Sequence, residues 1–109
     1  MKKLILCLAL TAGCAHAEFK DGNKLLAQLR GDATDYIHAL GYITGVYDTL
    51  QHISHCPPPN VSAGQVGDMV KNYLEANPDT RHNTADRIVG LVLKNSWPCA
   101  ARPNTGRGV

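Results

Sequence analysis

Apart from its first residues, this chain of 109 has no long apolar run, no surplus of one charge and no glycine-rich loop. Each lack excludes a class of protein. No segment after residue 17 approaches the run of about 18 to 20 apolar residues needed to span a membrane. Lys and Arg number 11 against 9 Asp and Glu, and Lys2 and Lys3 fall in the leader described below, so the remainder holds nine of each sign. A balanced chain has no diffuse attraction for nucleic acid or an anionic membrane, so a partner must be recognised by shape and local contacts. There is no phosphate-cradling loop, no nucleophile elbow and no C-x-x-C spacing, which removes the common signatures of nucleotide, hydrolase, zinc and dithiol chemistry. Internal repeats are absent as well.

What is present begins with "MKKLILCLALTAGCAHAE". Two lysines, an apolar run from Leu4 to Leu10 and small residues ending in Ala15-His16-Ala17 form the three parts of a secretory signal, with cleavage expected after Ala17. The expected destination is the periplasm of a Gram-negative bacterium. Thr11-Ala12-Gly13-Cys14 resembles a lipobox, and a lipoprotein anchored at Cys14 is the alternative, although Thr11 stands where a large aliphatic residue is usual. Cleavage after Ala17 leaves 92 of the 109 residues, enough for one domain (residues 18–99) near the small end of what a single core supports, with a loose tail over 100–109.

So small a domain benefits from a staple. Cys7 and Cys14 leave with the signal, and Cys56 and Cys99 remain as the only pair in an oxidising compartment, which predicts a disulfide between them. By the chain-entropy model it is worth about 4 kcal/mol. The alternative is a reactive or metal-binding thiol.

Apolar spacing predicts an all-α bundle of about four helices. A short helix covers Lys24 to Arg30, started by Asp21 or Asn23 and stopped at Gly31; a longer one runs from a cap at Asp32 to about Ile53. Three prolines at 57–59 break the chain before Ser62, which with Gln65 forms a capping box flanked by a Val61/Val66 staple. Val66, Met69, Val70, Tyr73 and Leu74 then stripe a helix that stops at Asn77-Pro78. After the polar turn "NPDTRHNT", a last helix runs from about Ala85 to Ser96.

Within "GYITGVYDTL", Gly41 and Gly45 lie one turn apart on the long helix. Each costs about 1 kcal/mol relative to alanine, so the pair predicts close approach by another helix, either within the fold or across a homodimer.

Catalytic chemistry is mostly missing. His52, His55 and Cys56 suggest a metal or thiol-imidazole pair, but no acidic ligand lies near them in sequence; polar residues at a helix exit are the plainer reading. Asp32 and Asp35 fit a first helical turn better than a carboxylate dyad, and His38 reads as an ordinary packed or half-exposed side chain. No enzyme, cofactor or metal site is expected.

"GYITGVYDTL", "CPPPNVSAGQVGDMVKNYLEANPDTRH" and "WPC" together resemble the Rap/Tai family of immunity proteins, over roughly Phe19 to Cys99. The resemblance implies a periplasmic, all-helical, non-enzymatic protein that often dimerises and occludes a peptidoglycan amidase delivered by the type VI secretion system. Family members often carry further cysteines where this chain has Leu29 and Ala39, so a second bridge is missing here. The alternative function is a small periplasmic helical chaperone of the acid-stress type. For contact with the amidase the candidate is the proline-stiffened turn carrying Asp79, Arg81 and His82, whose charges suit a site built for a charged peptide stem. Solvated turn residues, with Asp79 or His82 capping the next helix, are the plain alternative. A second candidate surface is the face of Asp68, Lys71 and Glu75 on the third helix.

Overall fold

The computed structural model describes residues 19–100. Within them the chain forms α1 (Gly22–Leu29), α2 (Ala33–Leu50), α3 (Ala63–Ala76), a single 3-10 turn (Pro78–Thr80) and α4 (Ala85–Ser96). The all-α expectation holds. The expected signal, residues 1–17, and all but the first residue of the expected tail lie outside the described residues.

Local chemistry explains most helix ends. Asp21 caps α1 by accepting from the Lys24 amide at 2.8 Å, and Asp32 caps α2 by accepting from the Asp35 amide at 2.9 Å. The Ser62 half of the predicted capping box is made, its hydroxyl accepting from the Gln65 amide at 3.1 Å. Asn77 closes α3 twice, donating to the Tyr73 carbonyl from its backbone at 3.0 Å and its side chain at 2.8 Å. α2 ends at Leu50 instead of near Ile53, because His52 turns into the left-handed region (φ 62°). That conformation lets the Ile53 and Ser54 amides close on the Leu50 carbonyl at 2.9 and 3.0 Å.

All four helices contribute to one core. Leu25, Leu26 and Leu29 come from α1, Ala39 and Ile43 from α2, Val66, Val70 and Leu74 from α3, and Ala85, Ile88, Val89, Val92 and Leu93 from α4. Leu29 and Ala39 are both buried, so apolar packing occupies the two positions at which the resemblance implied further cysteines. α2 touches α1, α3 and α4. Cys56 and Cys99 form the predicted disulfide, with Cα atoms 4.8 Å apart across 43 residues of sequence. It ties the start of the proline loop to the exit of α4, beside a 2.8 Å hydrogen bond from the Cys56 amide to the Trp97 carbonyl.

The close approaches occur at glycines other than the expected ones. A Cβ on Gly22 would lie 2.6 Å from Ile88 Cδ1 and 2.8 Å from the Arg81 carbonyl oxygen, and one on Gly67 would lie 2.6 Å from Leu40 Cδ2. At Gly41 and Gly45 a Cβ would meet nothing within 4 Å. The helix crossing expected there within the fold is therefore not made, and both glycines are exposed.

Candidate functional site

The turn between α3 and α4 is joined to the start of α1. The Gly22 and Asn23 amides, left without intrahelical partners at the head of α1, donate to the carbonyls of Asn83 and Arg81, each at 3.0 Å. The Ala85 amide returns a 2.9 Å bond to the Lys20 carbonyl. Arg81 reaches back seven residues, donating through Nε to the Leu74 carbonyl at 2.6 Å and through Nη2 to the Glu75 carbonyl at 3.2 Å. This guanidinium caps the carboxyl end of α3, where orphan carbonyls and the helix dipole favour a cation. Two of the donors that Arg81 was expected to offer a partner are thus used within the fold. Asp79 and His82 are exposed on the same turn. Neither caps α4, whose first turn is preceded by Thr84 without a side-chain cap.

The turn runs at Thr84 into a groove of about 700 Å³ lined by Phe19, Gly41, Tyr42, Gly45, Val46, Thr49, Leu50, Thr84 and Asp86. Its glycines leave the α2 backbone bare. The Thr44 and Thr49 hydroxyls donate to the Gly41 and Gly45 carbonyls at 3.1 and 2.7 Å. Phe19 at one end is 96% exposed, and Ile37, farther along α2, is 65% exposed. A polar rim borders the apolar part. Burial, and then the Asp86 charge, push the Tyr42 hydroxyl up from its ordinary pKa, partly offset by a hydrogen bond from the Asp86 backbone. Lys20 lies 4.7 Å from the Tyr42 ring centroid and donates to Gln28; burial, and then the Lys24 charge, lower its pKa.

On the α3 face, Glu75 approaches Arg30 at 3.7 Å and Lys71 at 3.9 Å, with half-exposed side chains. Asp68 is exposed there without an ion pair among the described residues. Pairs of this kind contribute about 0 to 1 kcal/mol and leave the face free to exchange partners.

The two histidines at the exit of α2 differ in burial. His52 is exposed, whereas His55 is fully buried and its ring lies 4.9 Å from that of Tyr47. The disulfide removes the Cys56 thiol from nucleophilic or metal chemistry. Asp32 and Asp35 form the start of α2 as expected, and His38 is exposed. Among the described residues no three His, Cys, Asp or Glu side chains converge as a metal site. What this surface offers is an apolar groove with a charged margin.

A family model described as Rap1a immunity proteins matches residues 21–99. The chain belongs to the Rap1a immunity family. The match spans all four helices and the disulfide, and membership implies a role in immunity exercised by binding a cognate effector. No curated protein matches the chain. Sequence reasoning missed Phe19, Lys20, Tyr42 and Asp86 as parts of one surface of this Rap1a-family fold. They lie on three separate segments and share no periodicity, so only the tertiary arrangement joins them.

Proposed function

We propose that the protein is exported to the periplasm, where it binds and occludes a peptidoglycan amidase delivered by the type VI secretion system. The family match over residues 21–99 carries this reading. The signal-like leader supports export, and the Cys56–Cys99 bond suits an oxidising compartment. Asp79 and His82, on a turn fastened to α1 and α3, are the groups proposed to enter the amidase cleft. Arg81 contributes by holding the turn in shape, which reduces the ordering cost of binding. The bare glycine face of α2 is proposed to seat a second copy of the chain in a homodimer, since small residues permit close helix approach.

Co-purification of the mature protein with the product of a neighbouring amidase gene tests the main reading, and failure of every such amidase to bind would overturn it. Replacing Asp79 and His82 together by alanine should weaken amidase binding about tenfold or more, equivalent to about 1.4 kcal/mol. Thermal stability and molecular mass should stay unchanged. Full affinity in that variant would move the contact to Asp68, Lys71 and Glu75. A Cβ at Gly45 meets nothing within 4 Å, so Gly45→Glu should leave the protomer folded and convert a dimer to a monomer in sedimentation. An unchanged mass would remove the second copy from this face.

A further inference from the structure

His55 is the buried polar side chain among the described residues, with 0% exposure. Among the described residues neither Nδ1 nor Nε2 has a hydrogen-bond partner, and the neighbouring Ser54 hydroxyl is buried and unpartnered too. The residue closes the loop that leaves α2: its carbonyl accepts from the His52 amide at 2.8 Å, and His52 itself is held in the left-handed region at φ 62°. We propose that His55 is an acid-sensitive latch, whose protonation releases the segment between Leu50 and Cys56 while α2 and the Cys56–Cys99 bond hold its two ends.

A neutral imidazole is tolerated in an apolar pocket at the cost of its unmade hydrogen bonds. An imidazolium there needs an acceptor or a counter-charge. Among the described residues no carboxylate acts on the ring, His52 being the charged neighbour that does. From α2 comes Tyr47, which meets Trp97 edge-on at 6.4 Å from the exit of α4; from the loop comes His52, whose charge would repel. The disulfide beside it does not titrate. Burial first, and His52 second, hold the His55 pKa below the ordinary value of 6.5.

The sign follows by linkage. The closed loop binds fewer protons than the open one, so closure is at full strength above about pH 6.5 and is lost as pH falls toward the lowered value, by up to about tenfold per pH unit. Opening should stay local, since no residue of the hydrophobic core lies between Leu50 and Cys56. Loop opening of this kind does not depend on effector binding.

The test uses the mature, disulfide-bonded protein. Imidazole NMR follows His55 from pH 8 to 4.5, with exposed His38, His52 and His82 assigned separately, while amide exchange is read at His52 and at Val70. The expected result is that protonation of His55 coincides with a fall of tenfold or more in the protection factor of the His52 amide, with Val70 still protected. His55→Phe should abolish that fall and His52→Gln should retain it. Protonation of His55 with constant His52 protection, or a fall that persists in His55→Phe, would overturn the proposal. If His55→Phe does not fold, the unmodified protein decides the matter by the first of these readouts.

Discussion

Two pairs of glycines divide this molecule into a closed seam and an open face. Gly22 and Gly67 lie where a single added carbon would press on Ile88, the Arg81 carbonyl or Leu40; Gly41 and Gly45 lie where it would touch nothing. The sequence marks only the second pair, by its four-residue spacing inside a helix. A missing side chain shows that a position tolerates or requires bare backbone, but not which. The requirement comes from what stands opposite, and that is set by residues distant in the chain.

The seam is the more sensitive of the two regions. Gly22→Ala should have the largest effect, a loss of about 2 to 3 kcal/mol, because overpacking against a backbone carbonyl cannot be relieved by a rotamer change. Gly67→Ala offers a milder contrast, since its neighbour is the flexible end of Leu40. Chemical denaturation of both variants checks the order. Equal stability of Gly22→Ala and the natural protein would show that the seam is looser than its contacts imply.

Next in size is Arg81→Ala. Two charge-assisted hydrogen bonds to the Leu74 and Glu75 carbonyls are lost, and partial exposure keeps the cost to about 1 to 2 kcal/mol. The readout that separates this role from partner contact is Arg81→Lys. A lysine offers one compact donor group in place of a planar fork, so it should recover only part of the stability. Full stability in Arg81→Ala would return the guanidinium to the list of free binding groups.

What could be read from the sequence was local or forced by elimination. Ser62, Asn77-Pro78 and Asp32 mark helix ends by chemistry acting over three or four residues, and α4 falls at the expected Ala85–Ser96. Cys56 had one available partner once the leader was set aside. The rest depended on contacts without a sequence signature. Arg81 bonds seven residues back across a turn, Phe19 and Lys20 lie before the first periodic residue, and His55 sits in a run of polar exit residues although its ring is buried. Of the site residues expected to meet a partner, Asp79 and His82 are exposed on the turn, while Arg81 is drawn inward because an unfilled helix terminus lies within its reach.

The smallest expected effect on stability is at the open face, and it has the opposite sign. Gly45→Ala removes backbone freedom from the unfolded chain and meets no atom in the folded one, so the protomer should gain about 0.5 to 1 kcal/mol. If that face seats a second copy, the same methyl group should hold the facing helix away and weaken association. The two consequences separate by concentration: melting at high dilution reports the protomer, and sedimentation at high concentration reports the pair. A gain in the first with a loss in the second would show why glycine is kept at a position where alanine would stabilise the folded chain. A loss of stability at high dilution would contradict the open geometry. A gain with association unchanged would leave the glycine without a role in pairing and move the contact between copies to another surface.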